Sequence, residues 1–320
     1  MGKKLAFIFP GQGAQYPGMG RDFYHQFPEV KELIDHADEI LGYSLSELIF
    51  EGSSEELKQT RYSQPAIFVI SLAILKVIQD KFPVLIPDYS LGLSLGEYTA
   101  MVAAGILPFE EGLKLVQARA DAMQKASEEM PGTMAAVLGL EPDLVEEVLN
   151  AMRPEKQIWI ANLNCPSQVV VAGTKEAVEA STEPLTEKGA KRVVPLNVSG
   201  AFHTPLMKSA AETLQPKIES VTLHQGDVRL LMNVAGDFIE DTDEMRKLLL
   251  EQVMQPVLWE KSIHTIMNEG VDLFLEIGPG KTLCGMLRKI NKELNSLNIE
   301  NVEDLDRLEE YLICAVEGQK

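Results

Sequence analysis

The chain has 320 residues, 45% of them hydrophobic and 24% charged, and a formal net charge of −19. That length holds one large α/β domain, or a domain with a smaller insertion. The acidic balance argues against a nucleic-acid binder, which needs a basic face. Cys165, Cys284 and Cys314 follow neither a metal-ligand spacing nor a disulfide framework, so a reducing cytoplasm is the expected compartment.

Met1-Gly2-Lys3-Lys4 leads into only five apolar residues before Pro10, too few for the core of an export signal. Ala6 stands where a myristoylation motif wants Ser or Thr. Leu5 to Phe9 reads as a buried strand. It runs into Pro10-Gly11-Gln12-Gly13-Ala14-Gln15. This is no dinucleotide loop, because Tyr16 stands where the third glycine belongs. A glycine turn here can instead bring a backbone N–H to a site. Residues 20–58 read as short helices broken at Pro28. Gln64-Pro65 opens an apolar helix reaching about Gln79. Its apolar run, Ala66 to Leu75, is too short to span a bilayer.

Tyr89 to Leu93 reads as a short strand, and Glu97 to Ala104 as a small-residue helix stopped at Gly105. Between them lies Gly92-Leu93-Ser94-Leu95-Gly96. Strand, G-x-S-x-G, helix is the nucleophile-elbow pattern. The glycines permit a turn too tight for side chains, and the helix N-terminus aims N–H groups where negative charge would develop. An ordinary turn with a capping serine has the same letters. Phe109 to Met130 is an amphipathic helix carrying Arg119.

The next stretch changes character. Met134–Leu140 reads as strand, Pro142–Met152 as helix, Ile158–Leu163 and Gln168–Ala172 as strands, Lys175–Lys188 as helix and Arg192–Val198 as strand. The order β-α-β-β-α-β is ferredoxin-like. Ala201–Lys217 is then helical, Arg229–Val234 a strand, Asp243–Gln252 and Val257–Asn268 helices, Asp272–Ile277 a strand, and Lys281–Ile290 and Asn301–Leu312 helices. Four apolar strands, near residues 5, 90, 230 and 274, separated by helices indicate a parallel sheet. Active groups belong at the carboxyl ends of such strands, where Gln12 and Ser94 fall.

A serine nucleophile needs a base. Of the five histidines, His25 and His36 sit in polar helical contexts, and His224 and His264 carry no special signal. His203 differs: it follows the insertion, at the start of a helix. The base's other nitrogen needs an orienting partner, a carboxylate or a carbonyl, and spacing alone does not choose one. Arg119, taken alone, reads as a solvated charge.

Phe9-Pro10-Gly11-Gln12-Gly13-Ala14-Gln15, Gly92-Leu93-Ser94-Leu95-Gly96-Glu97-Tyr98-Thr99, Gln117-Ala118-Arg119, Ala161-Asn162-Leu163-Asn164, Gly200-Ala201-Phe202-His203 and Glu276-Ile277-Gly278-Pro279-Gly280 occur in this order. Together they resemble the malonyl-CoA–acyl carrier protein transacylases, from residue 4 to about 290. α/β-Hydrolases and patatin-like lipases share only the elbow. The resemblance implies an α/β fold: an α/β-hydrolase-like parallel-sheet core from residues 1–128 and 200–320, with a ferredoxin-like subdomain over 129–199.

It further implies a Ser94–His203 dyad, with the backbone carbonyl of Gln252 orienting the histidine and the N–H groups of Gln12 and Leu95 forming the oxyanion hole. Arg119 would hold the malonyl carboxylate, since a planar guanidinium matches a carboxylate with paired hydrogen bonds. Phe202 resembles the pattern for malonyl over bulkier methylmalonyl units, and Asn162 and Gln64 fall at motif positions lining the site. Leu93 departs from the histidine that many relatives carry before the nucleophile. The implied reaction is ping-pong, from malonyl-CoA to the phosphopantetheine thiol of acyl carrier protein, in fatty-acid synthesis, with no metal and no cofactor. Acidic carriers call for a basic patch: Lys188, Lys191 and Arg192, or Lys281, Arg288 and Lys289. A polyketide-serving acyltransferase, a serine thioesterase or hydrolase, and a non-catalytic carrier-binding protein are the alternatives. A cytoplasmic monomer without membrane contact is expected.

Overall fold

Five consecutive apolar residues, Leu5–Phe9, are all buried. Burial of every position requires a strand covered on both faces. In the computed structural model, which describes residues 4–153, 155–198 and 200–317, this strand is β1, at the centre of the main sheet. Met1-Gly2-Lys3 and the expected boundary at residue 199 lie outside the described residues.

In chain order the strands are β1 (Leu5–Phe9), β2 (Tyr89–Gly92), β3 (Gly132–Leu138), β4 (Ile158–Cys165), β5 (Gln168–Thr174), β6 (Arg192–Pro195), β7 (Arg229–Met232), β8 (Asp237–Phe238), β9 (Leu273–Ile277) and β10 (Ser296–Ile299). The main sheet has the order β10-β9-β1-β2-β7-β8. Its first five strands run parallel, and β8 pairs antiparallel with β7. Alternation along β1 divides the core. Leu5, Phe7 and Phe9 face the cluster that holds the Thr60–Lys81 helix. Ala6 and Ile8 face Trp259, Ile263, Leu283 and Leu287. Fully burying each large side chain contributes roughly 1.5–3 kcal/mol, which fixes the strand's register and so the position of the turn at its end.

β3 to β6 form a second, antiparallel sheet of order β4-β5-β3-β6. Its helices, Pro142–Met152 and Lys175–Glu187, complete the βαββαβ order. It buries a core of its own around Val137, Leu149, Ile158, Val171 and Leu185. β4 is stitched to the main body by Leu163 N–H to Val257 O and Val257 N–H to Ala161 O, both 2.9 Å.

Three expectations are corrected. The sheet has a fifth parallel strand, β10, invisible to an apolar-run reading because only Ile299 in it is buried. The apolar helix begins at Thr60, ahead of Gln64, with Pro65 inside it. Pro65 cannot donate to Arg61 O, and the Gln117 amide fills that carbonyl at 3.4 Å. At its full length the helix is apolar enough to cross a membrane, but 83% of its apolar window is buried inside the fold, as its apolar run suggested. Finally, His203 does not lie in a helix: a 3-10 turn, Pro205–Met207, and the Lys208–Ser220 helix follow it. Thr204, capping Leu206 N–H, separates the two.

Candidate active site

The parallel strands bring three loops to one edge of the sheet. β2 ends at Gly92 and the helix Gly96–Ala103 begins four residues later, leaving Ser94 at φ 54° in the left-handed region. That costs a non-glycine residue of order 1–3 kcal/mol and persists only where the surroundings enforce it. The enforcement is visible. A Cβ on Gly92 would lie 2.0 Å from Gly96 backbone atoms, and one on Gly96 would lie 2.2 Å from Phe9 O. Only glycines let the turn close onto β1.

His203 is also left-handed, at φ 60°, and 4% exposed. Its Nε2 is 2.8 Å from Ser94 Oγ, and its Nδ1 is 2.7 Å from the backbone O of Gln252. A carbonyl only accepts, so Nδ1 carries the proton and Nε2 is free to take the serine proton. Burial, reinforced by the Arg119 charge, lowers the His203 pKa to about 4, against the carbonyls of Gln252 and Gln255. The imidazole is therefore neutral at neutral pH, the form a base requires.

Arg119 is fully buried on the Phe109–Glu129 helix, not solvated as the isolated residue suggested. Its Nη1 donates to Gln64 Oε1 at 2.6 Å. Its Nη2 donates to Gln252 Oε1 at 2.9 Å and to Ser94 Oγ at 3.0 Å. The guanidinium lies over the Tyr98 ring, 5.3 Å from its centroid. Burial lowers its pKa, opposed by Tyr98 and Glu97.

Two residues that sequence reasoning missed hold this group together. Asn233, just beyond β7, accepts from Ser94 N–H and donates from Nδ2 to Gly92 O, each at 2.7 Å. Glu97 accepts from Asn233 N–H at 2.5 Å and from Gln252 Nε2 at 3.0 Å. Burial pushes the Glu97 carboxyl up, while Asn233, Arg119 and Gln252 pull it down. The available signals were Asn233's place at a strand's carboxyl end and Glu97's place in the elbow motif. A first-turn glutamate ordinarily reads as an exposed partner of the helix dipole.

With Ser94 N–H occupied by Asn233, the N–H groups of Gln12 and Leu95 remain without a protein acceptor among the described residues. The Gln12 side chain is tied to Thr60 and Gln64, which holds its loop in place. The cleft above Ser94 and His203 has a volume of about 270 Å³. Gln12, Leu93 and Phe202 line it from the main body, and Asn162 and Asn164 of β4 line the opposite wall. Gln64 lies behind the cleft, against Arg119. Among the described residues no group of three or more His, Cys, Asp or Glu could hold a metal ion.

The acyl transferase domain model matches residues 6–308. The malonyl CoA-acyl carrier protein transacylase of Bacillus subtilis is 42% identical over 304 residues, 95% of this chain and 95% of that one. The transacylase structure from Streptococcus pneumoniae superposes with a TM-score of 0.91 at 42% identity, covering 96% of this chain and all of that one. A malonyl-transacylase solved in complex with its type II polyketide acyl-carrier protein superposes with a TM-score of 0.91 at 35% identity, covering 94% and 97%. With these likenesses spanning nearly its whole length, the chain belongs to the malonyl-CoA–acyl carrier protein transacylase family.

Proposed function

We propose that this chain moves a malonyl group from malonyl-CoA to the phosphopantetheine thiol of an acyl carrier protein through a malonyl ester on Ser94. The observation that carries this reading is Arg119 Nη2, a buried cation 3.0 Å from the nucleophilic oxygen. A malonyl carboxylate stands two bonds beyond the carbon that serine attacks, so a cation there suits an acidic acyl group and not a fatty tail.

Ser94 Oγ attacks the thioester carbonyl while His203 Nε2 takes its proton. The oxyanion forms against the N–H groups of Gln12 and Leu95, each such donor worth about 10²–10³ in rate. The C–S bond breaks and His203 returns the proton to the CoA sulfur. The carrier thiol then gives its proton to His203 and attacks the Ser94 ester, and the serine oxygen leaves with that proton. The serine hydroxyl and the carrier thiol supply the two protons and His203 shuttles them, so the proposed reaction uses no cofactor of the enzyme's own.

Residues 1–128 and 200–320 would form the catalytic domain, with 129–199 as the subdomain walling the cleft. For carrier docking we favour Lys281, Arg288 and Lys289. They are exposed on and beside the helix whose Thr282, Leu283 and Met286 line the cleft. In the other cluster the Lys188 charge is paired with Glu147 at 2.6 Å, whereas Lys289 meets only the uncharged Gln168 side chain, at 2.7 Å. Because one relative was solved with a polyketide carrier, that acceptor is the second reading beside fatty-acid synthesis. We place the protein in the cytoplasm, in keeping with its three free cysteines, and propose that it acts as a monomer.

Intact mass after brief mixing with malonyl-CoA tests the reading. A malonyl-sized adduct, absent from Ser94→Ala and passed on to an added carrier protein, is expected. Free malonate without a carrier would identify a hydrolase, and neither adduct nor malonate would overturn the activity.

A further inference from the structure

Gln252 touches Ser94, Glu97, Arg119 and His203. Its backbone carbonyl receives His203 Nδ1. Its side-chain Oε1 receives Arg119, and its Nε2 donates to Ser94 O at 2.9 Å and to Glu97 Oε1 at 3.0 Å. The orientation of this amide is chemically fixed. Arg119 has only donors, Ser94 O only accepts, and the Glu97 Oε1 facing Gln252 is placed to accept its Nε2, so the amide oxygen must face the arginine. Glu97 is held in turn, because its second oxygen accepts Asn233 N–H. Glu97 is 1% exposed, and Gln252 and Arg119 are 0% exposed, so water does not reach this relay to substitute for a lost partner.

We propose that Glu97 is a positioning residue for acyl selectivity: acting through the Gln252 amide, it dictates that Arg119 meets an acceptor and so points its remaining donors at the substrate carboxylate. The inference rests on the reading of Arg119 as the malonyl-carboxylate donor. Its logic is directional. In Glu97→Gln the new carbonyl must still accept Asn233 N–H, which turns the new NH2 toward Gln252 Nε2. Two donors then face each other. Gln252 cannot turn over, because Arg119 and Ser94 O still fix its amide, so its side chain backs away from the new NH2 and draws its Oε1 off Arg119, which loosens the guanidinium from its place beside Ser94. Exchanging both residues, Glu97→Gln with Gln252→Glu, restores an acceptor toward Arg119 and a donor–acceptor pair between positions 97 and 252, but sets a carboxylate oxygen against Ser94 O in place of Nε2, so the restoration is partial.

The test is the ratio of malonyl to acetyl acylation of Ser94, with kcat and KM for each thioester, in Glu97→Gln, the exchanged double variant and Arg119→Ala. The ratio should fall about tenfold or more in Glu97→Gln, the scale of one hydrogen bond to a charged group, mainly through KM for malonyl-CoA, and recover in part in the double variant. An unchanged ratio in Glu97→Gln, or equal losses for both thioesters, overturns the proposal. So does failure of both variants to fold, or a folded double variant without malonyl preference when Glu97→Gln does not fold, since each assigns the relay to stability alone. If Arg119→Ala keeps the ratio, the reading of Arg119 has failed. If Arg119→Ala loses it while Glu97→Gln does not, only the relay has failed.

Discussion

Arg119 Nη2 donates to Ser94 Oγ at 3.0 Å, so the cation and the nucleophile are in contact before any substrate arrives. Once Ser94 carries an acyl group, its oxygen becomes an ester and a poorer acceptor. Under the proposed reaction the same N–H would then be free for a carboxylate two bonds beyond the ester carbon.

Arg119→Ala should therefore cost malonyl transfer far more than acetyl transfer. Removing one partner of a buried charge pair costs roughly 2–5 kcal/mol, a thirtyfold or greater loss of malonyl preference. Competition between the two CoA esters, read by adduct mass, measures it. Equal losses for both would place Arg119 in the scaffold instead.

Much of this site was legible because it is local. The elbow glycines, the serine and the glycine turn after β1 are short-range steric devices, and a strand's carboxyl end is where a parallel sheet gathers loops. Arg119 was legible only through its neighbours' resemblance to a family, since a helix arginine carries no sign of its burial. Glu97 and Asn233 pair across 136 positions, and nothing in either segment announces the other. β10 was missed because an edge strand need bury little.

The pH dependence follows from His203. Its pKa lies at about 4, below the ordinary 6.5, through burial and then the Arg119 charge. The reactive form is the neutral one, so acylation is complete above that value and is lost as pH falls through it. The free-enzyme kcat/KM profile should show its acid limb near pH 4, measured with acetyl-CoA, whose acyl group has no carboxyl of its own to titrate. In Arg119→Ala the limb should move upward. A limb already at 6.5 in the native protein would mean that the imidazole is solvated.

Asn233 is 1% exposed, and its amide closes the elbow by pairing with Ser94 N–H and Gly92 O. Asn233→Ala leaves a buried donor and a buried acceptor without partners, at about 1–3 kcal/mol for each such group. It also frees Ser94 to relax from φ 54°. The expected result is a lower melting temperature with a drop in kcat and little change in KM, because the nucleophile is displaced while the cleft wall stays. A loss confined to KM would contradict this role.

The elbow can be probed by one methyl group placed at two sites. In Gly96→Ala the new Cβ meets Phe9 O at 2.2 Å and Pro10 O at 2.9 Å. Both are backbone atoms at the end of the central strand, so the clash can be relieved only by separating the Gly96–Ala103 helix from β1, which moves Ser94 away from Gln12. Gly285 sits inside the Thr282–Ile290 helix with nothing within 4 Å of its added Cβ and no positive φ. There the same substitution restricts the unfolded chain and favours the helix, a gain of about 0.4–1 kcal/mol. Thermal unfolding and acylation of the two variants should diverge: Gly285→Ala as active as the native chain and slightly more stable, Gly96→Ala less stable and unable to form the adduct at the native rate. Native-rate acylation by Gly96→Ala would show that the close approach of helix and strand is not what places the nucleophile.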